Sequence, residues 1–134
     1  MLNAESELMM PHERPWDLRE RTLQFSLRIV RLCAALPNTP EGRLVRGQLL
    51  RCGTSPGAQY REACRARSPS EFISKIESCQ QELDETDYWL TLTERAELLH
   101  GTLLTELREL KIEANELMSI FSSSARTAKA NKNA

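Results

Sequence analysis

The segment QLLRCGTSPGAQYREACRARSPSE, residues 48–71, carries two glycines and a proline in the middle of an apolar pattern at helical spacing, and a sharp stop near its end. Leu44, Val45, Leu49 and Leu50 lead into it, and the pattern resumes through Tyr60, Ala63 and Cys64. Gly53, Pro56 and Gly57 admit two readings: a loop that cradles a phosphate, or a bend in one scaffold helix. A phosphate loop would end in GK[ST] and follow a strand; Gly53-Thr54-Ser55-Pro56-Gly57 does neither, and it sets Pro56 where an amide donor is wanted. A bend has a mechanism, because Pro56 cannot donate to the carbonyl of Cys52, while Gly53 and Gly57 let a neighbouring backbone approach. The spacing therefore predicts one helix from near Glu41 to near Arg67. Ser68-Pro69-Ser70-Glu71 then opens the next as a capping box with proline at the first helical position.

Upstream, Pro15-Trp16-Asp17 predicts a helix start with Asp17 as N-cap. That helix should run to about Leu36, where Pro37-Asn38-Thr39-Pro40 removes amide donors and disfavours the α conformation. Leu23, Leu27, Val30 and Ala34 make one stripe on it, and Phe25, Ile29, Leu32 and Leu36 a second. So wide an apolar surface suits burial on two sides, against the bundle and against a partner. Arg21, Gln24, Arg28 and Arg31 remain as the wet face.

Downstream, Phe72, Ile76, Cys79, Leu83, Thr86 and Leu90 fall near heptad spacing, with a second strip of Trp89, Leu92, Ala96 and Leu99. They predict a third helix reaching about Leu99. Gly101 marks a turn, and Leu103, Leu107, Leu110, Ala114, Leu117 and Phe121 form the seam of a fourth. The closing SSSARTAKANKNA has little to bury. The expected fold is all-α, an antiparallel up-and-down four-helix bundle. Its parts are a flexible N-terminal segment at 1–14, a bundle domain at 15–122 and a disordered polar tail at 123–134.

At 134 residues the chain fits one core, and five glycines with 5% aromatics favour helices. The opening MLNAESELMM lacks the basic and apolar regions of a signal peptide, and no later stretch has the uncharged length to span a bilayer. A cytoplasmic protein with no membrane partner is expected. Cys33, Cys52, Cys64 and Cys79 form no CxxC pair, so buried free thiols are expected. The net charge of −1 hides an asymmetry. From Arg14 to Arg67 eleven arginines face four acids, +7; from Ser68 to Phe121 four bases face twelve acids, −8. The halves can attract each other within one subunit or between neighbours.

If the second helix keeps phase across its glycines, Gln48, Arg51, Ser55, Gln59 and Glu62 share a face. The turn before Pro69 then sets Arg51 opposite Glu85, Ser55 opposite Glu82 and Gln48 near Trp89. An Arg51 guanidinium between Glu82 and Glu85 would be a charge-assisted pair with the geometric specificity of the arginine fork.

Catalytic signatures are weak. Glu97-Leu98-Leu99-His100 has the E-x-x-H spacing of di-iron bundles, but such sites need a second pair, and the other histidine, His12, has no matching Glu. His100 reads better as a partner for a helix C-terminus. No Ser-His-Asp or Cys-His arrangement stands out, so neither enzyme activity nor a cofactor is expected. Nucleic-acid binding is better motivated: Arg21, Arg28, Arg31, Arg43, Arg46, Arg61 and Arg65 are candidate phosphate contacts. Aromatics for base stacking are nearly absent from those faces, and sequence-specific readout has no support.

The run from Gln48 to Leu90, with its Q-x-x-R-x-x-x-S and E-x-x-E-T-x-x-W-L patterns, closely resembles the four-helix bundle proteins first noted in 23S ribosomal RNA intervening sequences. That family also includes the accessory variability determinant of diversity-generating retroelements. Cys52 stands where serine is usual, and Gln59 where asparagine is. The resemblance implies an antiparallel bundle assembled into a ring of five with no known catalytic activity. For the retroelement branch it also implies RNA or DNA binding and a reverse transcriptase partner. A head-to-tail interface that closes by rotation would suit the apolar strips and the opposed charge.

Overall fold

The computed structural model describes residues 15–133. The expected flexible segment at 1–14, with His12, lies outside the described residues. Four helices follow in order, α1 Pro15–Ala34, α2 Pro40–Cys64, α3 Pro69–Arg95 and α4 Thr102–Lys132, with no strand among the described residues. Neighbours in the chain are neighbours in space, and α4 returns beside α1 along a looser seam.

Helix ends follow local chemistry, in places differently from expectation. Asp17 is not the N-cap of α1 but sits in its first turn, where a carboxylate still meets the positive end of the helix dipole. The last turn tightens through Ala35 N to Leu32 O and Leu36 N to Cys33 O, at 3.1 and 3.2 Å, and so α1 stops at Ala34. Thr39 caps α2 by accepting from the Gly42 amide at 3.1 Å, with Pro40 in the first turn. α2 then runs unbroken through Gly53, Pro56 and Gly57.

Ser68 caps α3 by accepting from the Glu71 amide at 3.1 Å, and Glu71 reaches back to the amide of Arg67 at 2.9 Å, one residue before the cap. That bond and a C-cap at Arg65 end α2 at Cys64 rather than Arg67.

α3 stops at Arg95, short of Leu99. Leu98 N bonds Thr93 O at 3.2 Å and Glu97 N bonds Glu94 O at 3.1 Å, the two bonds of a Schellman turn. Glu97 takes the left-handed position with φ 56°, which glycine usually occupies. Composition alone does not place a turn on a glutamate.

The tail expected to be disordered from residue 123 is instead helical through Lys132. Its alanines and lysines have high helix propensity, Ala125 is buried, and Lys129 and Lys132 bond Glu77 and Ser70 at 2.9 and 2.6 Å. The α3 surface thus supplies what the tail sequence lacks on its own.

The core takes Phe25, Ile29 and Leu32 from α1, Leu49 from α2, Ile76, Leu83 and Leu90 from α3, and Leu107, Leu110, Leu117 and Phe121 from α4. Leu103, expected in that seam, is exposed. Tyr60 stacks obliquely on Phe121 with ring centroids 5.4 Å apart. Thr22, Thr86 and Thr93 are buried without loss, each hydroxyl donating to a carbonyl one turn back at 2.7 Å. The four cysteines are free, Cys64 half-buried and the others buried. Burial pushes the thiols of Cys33 and Cys79 up to about 11 and about 12.

α1 packs closely against α2 at Gly53. A Cβ there would lie 2.8 Å from Ile29 Cγ2, and one at Gly57 would lie 3.4 Å from the Thr22 carbonyl oxygen. Ser26 donates to Gly53 O at 3.4 Å across the same contact. Gly53→Ala is expected to lose roughly 1–2 kcal/mol in urea denaturation, overpacking outweighing alanine's helix preference of about 1 kcal/mol. Ile29→Ala, which removes both γ carbons that a Cβ at Gly53 would strike, should cost less in the Gly53→Ala background than in the unmodified protein, a non-additive pair.

Candidate functional site

The α2 row of Gln48, Arg51, Ser55, Gln59 and Glu62 lies along α3. Arg51 contacts Glu85 directly and Glu82 at 3.3 Å, and donates to Gln48 Oε1 at 3.3 Å. Ser55 was expected opposite Glu82, yet its hydroxyl donates to Arg51 O at 2.6 Å, so it serves its own helix. Gln59 Oε1 is buried with no donor in reach among the described residues. Glu62 pairs with Lys75 at 2.7 Å, a hydrogen bond that holds the lysine above its usual range. Sequence reasoning did not name Lys75, although the same register brings it to Glu62.

The seam is half-open: the side chains of Arg51, Glu82 and Glu85 are 49, 23 and 40% exposed. It therefore behaves as a partly solvated network and lacks the large penalties of a buried ion pair.

The expected arginine stripe is not one free surface. Arg21, placed on the wet face by pattern, forms a two-pronged bond to Glu113 at 2.7 and 2.6 Å and reaches Glu116 at 2.7 Å. Arg28 forks onto Glu106 at 3.1 and 2.7 Å, with Glu109 at 3.8 Å. Hydrogen bonding to these carboxylates holds both guanidiniums above their usual value against desolvation. Arg46 donates to the carbonyls of Cys33 and Leu36 at 3.2 and 2.8 Å, closing the end of α1. Arg43 donates to Asn38 at 3.1 Å. Arg31, Arg61 and Arg65 are exposed, with no carboxylate paired to them among the described residues.

The acids Glu106, Glu109, Glu113 and Glu116 went unnamed in the sequence reading. Their steps of three and four on one helix were the available signal. At the other edge of α4, Arg108 and Lys111 bond Glu94 at 2.8 and 3.4 Å, which lowers that carboxyl below its usual range.

One open groove of about 510 Å³ lies where α2 turns into α3, lined by Leu18, Tyr60, Cys64, Arg67, Phe72 and Ser124 among others. Its floor is apolar, and burial pushes the Tyr60 phenol up. Glu97 and His100 lie in the loop after α3, so their spacing does not stack them on a helix face. Among the described residues, no three His, Cys, Asp or Glu side chains converge to hold a metal ion. Among those residues, too, no helix is long and apolar enough to cross a membrane.

A family model described as 23S rRNA-intervening sequence protein matches residues 16–123. The fold is similar to a crystal structure of a protein of unknown function from the S23 ribosomal protein family of Bacteroides thetaiotaomicron. The two share 32% identity and a TM-score of 0.73, over 81% of this chain and 97% of that one. No curated protein matches the chain.

The two charge networks should differ in weight. Arg21 and Glu113 are 23 and 16% exposed and joined by two charge-assisted bonds, so Arg21→Ala is expected to lose about 1.5–3 kcal/mol in urea denaturation. Arg51→Ala should lose under about 1 kcal/mol, and Arg51→Met with Glu85→Leu should melt no lower than Arg51→Ala.

Proposed function

Since the chain belongs to the 23S rRNA-intervening sequence protein family, we propose that it is a cytoplasmic, non-enzymatic scaffold or binding accessory whose antiparallel up-and-down bundle assembles into a ring-shaped homo-oligomer. The observation that carries this reading is the outer face of α1. Leu23, Leu27 and Val30 are 39, 36 and 44% exposed, although their neighbours Phe25, Ile29 and Leu32 fill the core. Such a row on an otherwise well-packed helix suits an interface. The antiparallel arrangement is supported by side-chain pairing: from Arg51 to Glu62 along α2, partners step back from Glu85 to Lys75 along α3. Five copies is the number that the family resemblance implies.

Part of the opposed charge noted in the two halves is met inside the subunit, through Arg21, Arg28 and Arg51. What remains outward on α1 includes the apolar Leu23, Leu27 and Val30 beside Gln24 and Arg31. No residue is assigned a catalytic role in this reading.

A second reading, an RNA or DNA accessory with a reverse transcriptase partner, keeps support from one surface. Arg43 and Arg61 are separated by five helical turns, and Arg65 stands one turn further, so they line one side of α2 and its C-cap. All three are exposed.

Light scattering at micromolar concentration should give a mass near five times 15.3 kDa, and Leu27→Glu should reduce it to 15.3 kDa with the helical spectrum unchanged. A 15.3 kDa unmodified protein would overturn the ring. For the second reading, a mobility shift titrated with salt should show binding that weakens steeply and is reduced in Arg61→Ala with Arg65→Ala; no shift at low ionic strength ends it.

A further inference from the structure

We propose that the groove where α2 turns into α3 receives the chain's own segment Leu8-Met9-Met10, folded back from the start of α1. The groove opens beside that start. Leu18, one turn into α1, lines it together with Tyr60 and Cys64 of α2, Phe72 of α3 and Ser124 of α4, so all four helices meet at this recess. Leu18 and Tyr60 are buried, and Cys64 and Phe72 are packed partly buried against the core, which makes the floor apolar. Its volume of about 510 Å³ suits a compact apolar group.

Connectivity selects the occupant. Met10 stands five residues before Pro15, and five residues reach at most about 18 Å when extended, enough to return over the first turn of α1 to Leu18. Pro15 is the first residue of α1 and disfavours the α conformation at Arg14, which turns the incoming chain off the helix axis. A tether this short holds the segment at an effective concentration in the millimolar range, which a second copy at micromolar concentration does not match. Leu8-Met9-Met10 is the apolar run nearest α1, and unbranched methionine side chains adapt to an irregular recess.

Charge favours the same occupant. Around the groove Glu62, Glu71 and Glu77 each have a cation, in Lys75, Arg67 and Lys129. Asp17 and Glu20 of α1 are then outnumbered by Arg19, Arg61, Arg65 and Arg126, which have no paired carboxylate among the described residues. This end of the bundle is therefore basic. The segment is acidic, with Glu5, Glu7 and Glu13 against Arg14, and seating Leu8-Met9-Met10 brings Glu5 and Glu7 toward the α2 end that carries Arg61 and Arg65.

Cys64 reports on the groove, because it lines it and is half-buried while Cys33, Cys52 and Cys79 are buried. In the full chain, maleimide labelling of Cys64, located by peptide mass, should be about tenfold faster in Leu8→Ser with Met9→Ser and Met10→Ser than in the unmodified protein. Circular dichroism should show the same helix content in both; if the triple variant loses helix, a cross-link decides. In Met9→Cys, a short bismaleimide should join residues 9 and 64 within one chain. Equal labelling rates in two folded proteins overturn the proposal, and so does the absence of that link. Protection of Cys64 that is lost on dilution, or a link that joins two chains, makes a second copy the occupant and overturns it too.

Discussion

The approach of α1 to α2 at Gly53 governs much of what the molecule presents. With Ile29 seated against a residue that has no side chain, α1 can turn in only one way that also sends Phe25 and Leu32 into the core. That rotation aims Arg21 and Arg28 at the carboxylates of α4 and leaves Leu23, Leu27 and Val30 pointing away. One backbone contact therefore selects both the charge network and the surface offered to partners.

Charge was the more deceptive feature. Arginines on α1 suggested a phosphate-binding face, yet two of them are neutralised by forked bonds to α4, and Arg46 is spent on the end of α1. Desolvated guanidiniums with fixed carboxylates bind weakly to anything else, since a phosphate would have to displace a partner already in place. The mildly acidic balance of the whole chain points the same way.

Where the sequence was legible, a local rule and a long-range pattern agreed. Ser68-Pro69-Ser70-Glu71 starts a helix by its own hydrogen bonds, and the short turn before it then fixes the register that brings Arg51 to Glu85. The four-helix bundle followed from heptad spacing in the same way. Legibility failed where the deciding partner was remote. Nothing within residues 123–132 says that Glu77 and Ser70 will hold them helical, and Glu97 accepts a left-handed backbone because the bonds to Thr93 and Glu94 require a turn there. Ser55 looked like a cross-helix contact, but a serine hydroxyl reaches its own preceding turn more readily than another helix.

The looseness of the α1–α4 seam has a dynamic consequence. α1 packs against α2 at Gly53, while its looser seam with α4 is clasped at the surface by ion pairs, whose strength falls with ionic strength. Opening along that line leaves α2, α3 and α4 stacked and makes α1 the smallest unit that can detach by itself. Amide protons of α1 would then exchange with solvent through a partial opening, sooner in salt, while those of α3, packed between two helices, wait for the whole fold to come apart.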